Sequence, residues 1–190
     1  MSRTQYYCAA TLDGFIAESD DTLDWLMKYE GSFGGEGAEP AKGAYDRWYE
    51  GIGALVMGSV TYEFILDHMA QGNEWAYAGK PTWVLSTRDL PAAEGTGDEL
   101  RIVEAAVTEL YDEMIAAAGE RDLWVVGGGN VASQFADAGL LDELLVTVVP
   151  VVLGEGKPLF DRRLPGGPMQ LTGTRAFDSG MVELRYEIRR

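Results

Sequence analysis

The residues Leu123-Trp124-Val125-Val126-Gly127-Gly128-Gly129-Asn130 join two features that together can do chemistry. The apolar half, with its β-branched and aromatic side chains, reads as a buried strand. The three glycines then remove every Cβ from the turn, so another molecule can approach the backbone closely. Val131 to Ala138 reads as a short helix with Val131, Phe135 and Ala138 on one face. The first turn of a helix presents free N–H groups and a partial positive charge, which suits a phosphate. The unit points to nucleotide binding; the plain alternative is a tight turn in an ordinary α/β protein.

Two further strand ends share this character. Ala54 to Met57 reads as a buried strand ending in Gly58-Ser59-Val60-Thr61, and Pro81 to Ser86 as a strand ending in Ser86-Thr87-Arg88. Ligands of open α/β sheets sit outside the carboxyl ends of the strands. Backbone N–H groups, hydroxyls and one arginine are what a phosphate needs there, and Arg88 follows two hydroxyl residues as a socket for a phosphate monoester. A Rossmann dinucleotide fold is the rival. Gly127 to Ala132 fits its glycine pattern, but the match comes late in the chain, and the following strand ends Thr147-Val148-Val149-Pro150 without the acid that the fingerprint requires.

The elements that must position these residues alternate. Tyr6 to Thr11 reads as a first strand, followed by a turn and a second extended piece through Ala17. Glu18 to Asp21 is an acidic loop, and Thr22 is placed to cap a helix over Leu23 to Tyr29. Gly31 to Gly37, with four glycines, reads as a loop or lid, and Ala41 to Gly51 as a helix. Val60 to Met69 and Val107 to Ala118 read as helices, Arg101 to Val103 as a short strand, and Leu144 to Val152 as a long one. Leu171 to Phe177 and Met181 to Arg189 alternate around Asp178-Ser179-Gly180, a hairpin signal. The order predicts an α/β fold in one domain over residues 1–190, with a mostly parallel sheet and an antiparallel C-terminal hairpin.

Bulk composition narrows the function classes. A net charge of −16 repels nucleic acid and anionic membranes, so neither is expected as a partner. Any anionic cofactor must find a local exception. The start of the chain shows no signal-peptide pattern, no apolar run reaches membrane-spanning length, and one cysteine forbids an internal disulfide, so a cytoplasmic protein is expected. Cys8 lies in an apolar strand and reads as a buried, inert thiol. His68 is the single histidine, without a Cys or His neighbour, so no metal site is expected. No Gly-x-Ser-x-Gly elbow is present, which sets hydrolase chemistry aside.

The ordered set Ala9-Ala10-Thr11-Leu12-Asp13-Gly14-Phe15-Ile16-Ala17, Val56 to Glu63, Leu85-Ser86-Thr87-Arg88 and Val125 to Gly129 resembles the dihydrofolate reductase fold. With Pro150 to Gly156 followed by Leu159-Phe160, it is most similar to the reductase domain of the bifunctional riboflavin-biosynthesis deaminase-reductase and its stand-alone relatives. The resemblance implies a three-layer α/β sandwich, NADPH as cofactor, and hydride transfer to a small flat conjugated substrate such as a pterin or aminopyrimidine. It implies Gly58, Ser59 and Thr61 at the cofactor phosphates, and Ser86, Thr87 and Arg88 on the adenosine side. Gly127, Gly128, Gly129, Asn130 and Val131 would hold the pyrophosphate and nicotinamide ribose, with a cis peptide within the three glycines. Ser59 stands where the folate branch carries a basic residue, so that cofactor contact is absent here.

For the substrate the resemblance implies Asp13 and Ile16 by the nicotinamide, Trp25, Tyr45 and Trp48 beside the ring, and Gly154 in the following loop. Aromatic faces suit a flat heterocycle; the alternative for the tryptophans is the core. Asp13, Asp24, Glu30 and Asp46 are the candidate catalytic carboxylates, and Gly31 to Pro40 reads as an insertion that breaks the alignment. A symmetric homodimer is expected through Val146, Val148, Leu184 and neighbours. The alternatives are a non-catalytic dinucleotide-binding or oligomeric module of the same fold, and a Rossmann-type dehydrogenase.

Overall fold

A computed structural model describes residues 2–29 and 41–189. Glu30 and the expected loop over Gly31 to Gly37 lie outside the described residues. In chain order the elements are β1 (Thr4–Thr11), β2 (Phe15–Ala17), α1 (Asp24–Met27), α2 (Ala41–Glu50), β3 (Ile52–Gly58), α3 (Ser59–Ala70), β4 (Thr82–Leu85) and β5 (Leu100–Val103). They continue with α4 (Val107–Ala118), β6 (Asp122–Gly127), α5 (Gly129–Asp137), β7 (Glu143–Val149), β8 (Lys157–Pro158), β9 (Gln170–Ala176) and β10 (Val182–Glu187).

Eight strands form one sheet in the order β5-β4-β3-β6-β1-β7-β10-β9. The pairings from β5 to β7 are parallel, and β10 joins β7 and β9 antiparallel. This is the expected mostly parallel sheet with an antiparallel C-terminal hairpin. The short strands β2 and β8 pair apart from it.

Alternation along the strands builds two cores, because successive side chains leave a strand on opposite faces. Tyr6, Val56, Leu123, Val125 and Val146 pack with Met114 of α4 and Phe135 of α5 on one face. On the other face Tyr7, Leu55, Trp124 and Leu145 pack with Tyr45, Trp48 and Tyr49 of α2, while Met57 and Val84 pack with Tyr62 and Ile65 of α3. Helices therefore cover both faces, in three layers.

Four expectations are corrected. α1 is one turn rather than Leu23 to Tyr29, because both the Thr22 amide and its hydroxyl bond the Asp20 carboxylate and leave Leu23 at the cap. β7 stops at Val149, where Pro150 has no N–H to continue the ladder. Trp25 belongs to a core cluster with Val149, Phe177 and Met181. The expected interface residues are committed to the chain's own core: Val146 is buried, and Val148 and Leu184 pack against the same cluster.

At Gly53 the end of α4 comes so close that an added Cβ would lie 2.2 Å from the Ala118 carbonyl oxygen, a backbone atom with no rotamer to yield. Gly53→Ala should cost about 3 kcal/mol, the upper end of the overpacking range. Gly167→Ala, with nothing within 4 Å, should stay within about 0.5 kcal/mol of the parent protein. Urea unfolding of the two variants reads the contrast; equal midpoints would contradict this packing.

Candidate active site

A cavity of about 830 Å³ opens at the carboxyl ends of β3 and β6. Its volume falls in the range of small-molecule and cofactor sites. Gly58, Ser59, Val60 and Thr61 line it from the β3–α3 junction, and Gly127 through Val131 from the β6–α5 junction. The N-caps of α3 and α5 are Gly58 and Gly128, and neither helix is capped by a side chain. Their first-turn N–H groups therefore lack the usual side-chain acceptor beside this cavity. The Gly127–Gly128 peptide is cis, one of the two positions that the resemblance implied.

The third glycine fixes the wall opposite. A Cβ on Gly129 would lie 2.6 Å from the Pro158 carbonyl oxygen and 2.8 Å from that of Leu159, so the chain can pass here only without one. Lys157, Pro158 and Asp161 consequently face the cavity. Arg162, hydrogen-bonded at 2.8 Å, holds the Asp161 carboxyl well below the usual carboxylate range, with help from Asn130 of α5.

A second, smaller cavity is lined by Ser86, Thr87, Glu104 and Ala106, and shares Ser59, Leu85 and Gln134 with the first. Arg88 lines neither. Its guanidinium forks onto the Glu63 carboxylate at 2.8 and 2.6 Å on the exposed side of α3. The sequence offered the arginine but not this partner, which comes from another element.

The other wall of the large cavity is aromatic. Tyr7, Tyr45, Tyr77, Trp124 and Phe64 line it together with Ile16, Val126 and Met181. The Tyr7 hydroxyl donates to Glu183 at 3.1 Å and lies 3.4 Å from the Thr147 hydroxyl. Burial pushes the Tyr7 phenol well above its ordinary value, so it stays protonated at neutral pH. Cys8 also faces this space and is half-buried rather than fully enclosed; burial still pushes its thiol up to about 12, which keeps it unreactive.

Several expected site residues stand elsewhere. Asp13 does not line the cavity. Its carboxylate accepts from the Thr11 hydroxyl and from the backbone N–H groups of Gly154 at 2.7 Å and Leu153 at 3.2 Å. The Thr11 bond leads in holding this carboxyl below its usual value. Asp13 and Gly154 thus form a clasp between the β1–β2 turn and the loop after β7. Asp24 pairs with Lys28 at the surface, and Asp46 is exposed on α2. Neither Trp25 nor Trp48 lines the cavity: each packs against residues that do, Trp25 in the cluster of Met181 and Trp48 edge-on to Tyr7 and Trp124. Of the three expected ring-facing aromatics, Tyr45 alone lines it.

Trp124, Tyr7 and Thr147 were missed, although alternation on β6, β1 and β7 puts them on one face of the sheet. Asp21, Lys157 and Asp161 carry no local signal, since long-range packing brings them in. Among the described residues no cluster could hold a metal ion, and no helix is long and apolar enough to cross a membrane.

Comparison with known proteins places this geometry. The model of the RibD C-terminal domain matches residues 5–183. An uncharacterised Bacillus subtilis protein, YwjB, is 28% identical over 184 residues, covering 97% of each chain. The riboflavin biosynthesis protein RibD of Corynebacterium ammoniagenes is 28% identical over 162 residues, spanning 78% of this chain and 43% of that protein. A solved Shewanella sp. PV-4 protein, named for riboflavin biosynthesis, superimposes with a TM-score of 0.79 at 24% identity over 99% of both chains. That likeness establishes the fold. The chain belongs to the RibD C-terminal domain family.

Proposed function

We propose that this chain is an NADPH-dependent reductase that delivers a hydride to a small, flat, conjugated substrate. Family membership supports a reductase-type role. The observation that carries the finer reading is the pair of glycine-capped helices, α3 and α5, aimed at one cavity whose far wall is aromatic.

The residues present fit the cofactor. In a chain of net charge −16, uncapped backbone N–H groups at two helix N-termini supply a local positive potential for a pyrophosphate. The nearest atom to a Cβ built on Gly128 is Ile16 Cδ1, 4.0 Å away, so this glycine leaves room at the cavity wall. Gly58, Ser59 and Thr61 would hold one phosphate and Gly127 to Val131 the other, with Ser86 and Thr87 at the adenosine end. Bound there, the nicotinamide would supply the hydride. The chain's own part is to position the acceptor, exclude water with the aromatic wall, and hold the protonated Tyr7 hydroxyl at the cavity.

Arg88 is the cation for a 2′-phosphate, and its pairing with Glu63 does not forbid this. An exposed ion pair is worth about 0–1 kcal/mol. Charge-assisted hydrogen bonds to a phosphate contribute about 1.5–3 kcal/mol each. A 2′-phosphate, with more charge than the Glu63 carboxylate, would compete with it for the guanidinium. Titration of tryptophan fluorescence with each cofactor should show NADPH binding. Arg88→Ala should weaken NADPH binding about tenfold, near 1.4 kcal/mol, while leaving NADH unchanged. Equal losses for both cofactors would refute the role of Arg88, and no response to either would refute the reductase reading.

We further infer a homodimer, through a different surface from the expected one. β9 is the sheet's last strand, six of its seven residues are exposed, and Leu171 stands open. Its unpaired backbone edge is a template for a second copy. Sedimentation at micromolar concentration should give a dimer, tighter at moderate salt because the repulsion between two acidic subunits is screened. A monomer at both salt levels would contradict it.

A further inference from the structure

A run of hydrogen bonds fixes which way one cavity-lining amide faces. Arg162 grips the Asp161 carboxylate through Nε at 2.8 Å and Nη2 at 3.1 Å, and reaches Asp137 with Nη1 at 3.3 Å. Held ionised in this way, Asp161 can only accept. The Asn130 side chain therefore turns its NH2 to Asp161, which leaves its carbonyl oxygen for the next partner. That partner is Gln134, one turn further along α5, whose NH2 donates to the Asn130 oxygen at 2.8 Å. The orientation of the Gln134 amide is thereby set. Its Oε1 ends the run, without a partner among the described residues.

Gln134 stands between two spaces. It lines the large cavity and also the smaller one, of about 460 Å³, beside Ser86, Thr87 and Glu104. β6, β3 and β4 are consecutive neighbours in the sheet. Two strand spacings, about 10 Å, therefore separate the glycine turn after β6 from the end of β4 where the smaller cavity opens. This space differs from the one at the starts of α3 and α5. The Ala106 amide before α4 is already taken by the Glu109 carboxylate at 2.8 Å. The Ser86 hydroxyl accepts from the Arg88 amide at 2.9 Å and donates to the Arg88 carbonyl at 3.1 Å. Among the lining side chains the fixed acceptors are Gln134 Oε1 and the Glu104 carboxylate, while the hydroxyls of Ser59 and Thr87 act either way.

We propose that Gln134 and Glu104 select a base with an exocyclic amino group, the adenine of a dinucleotide, and that Asp161 and Asn130 are positioning residues that hold the Gln134 acceptor at the neck between the cavities. This rests on reading the large cavity as a dinucleotide site. With the pyrophosphate at the first turns of α3 and α5, the adenosine half passes Gln134 into the smaller cavity. An amino group carries two N–H donors, one for each acceptor. An oxo base in the same place sets a carbonyl oxygen against both acceptors and leaves them unpaired.

Calorimetric titration of the full chain with NADPH and with its hypoxanthine analogue tests this. The analogue keeps one donor, at the ring nitrogen, and has a carbonyl oxygen where the amino group was. NADPH should bind about tenfold more tightly or better. Gln134→Leu removes one acceptor and should shrink that ratio about threefold or more. Glu104→Gln should tighten binding of the analogue, because an amide can turn its NH2 to a carbonyl. Asp161→Asn can donate as well as accept, which frees the direction of the run, and should also shrink the ratio. A merely structural loss at the α5 turn would weaken both dinucleotides alike and leave the ratio where it was. Equal binding of the two by the parent chain would overturn the inference and leave the cofactor reading in place, since a ribose hydroxyl would then be what the acceptors meet. A ratio unmoved by Gln134→Leu and Glu104→Gln would overturn the selection, and one unmoved by Asp161→Asn the positioning role. Binding of neither dinucleotide would remove the cofactor reading and this inference with it.

Discussion

Gly129 is the contact on which the site depends. Two backbone carbonyls, of Pro158 and Leu159, stand where its Cβ would be. That approach sets the segment after β7 against the start of α5, and three further contacts keep it there. The Leu159 amide donates to the Gly14 carbonyl at 2.9 Å, β8 pairs with β2, and Asp13 holds the amides of Leu153 and Gly154. The β1–β2 turn, the loop after β7 and the glycine turn therefore form one bound unit. A side chain at position 129 would push apart the wall that carries Lys157, Pro158 and Asp161.

Electrostatics then divides the cavity. The chain is strongly acidic, and its basic side chains near the site are paired with carboxylates: Arg88 with Glu63, Arg162 with Asp161, Lys157 with Asp21. Attraction for an anion would come from backbone N–H groups at two helix starts, which carry no side-chain entropy. Such donors act over the first turn only.

Much of the scaffold was legible in the sequence. The glycine turn, the strand ending at Gly58 and the C-terminal hairpin are local patterns, in which period-two alternation and glycine or turn residues act over a few positions. Roles that depend on distant partners were not legible. Asp13 looks like a site acid, yet besides the Thr11 hydroxyl it is held by amides 140 and 141 residues away. Arg88 looks free, yet Glu63 from a preceding helix holds it. Trp25 and Trp48 are aromatic residues of the ring-binding kind, but neither lines the cavity, while Trp124, packed in the same cluster as Trp48, does. Glu30, the remaining candidate acid, lies outside the described residues.

The proposed seat of a dinucleotide's phosphates is the pair of first turns at α3 and α5. Hydrogen exchange with and without saturating NADPH, resolved to individual amides, tests it directly. Slowed exchange is expected at Ser59 to Thr61 and at Gly129 to Val131, since a bound phosphate would occupy those N–H groups. Exchange at those positions that NADPH leaves unchanged, at a concentration where binding is measured, would contradict it.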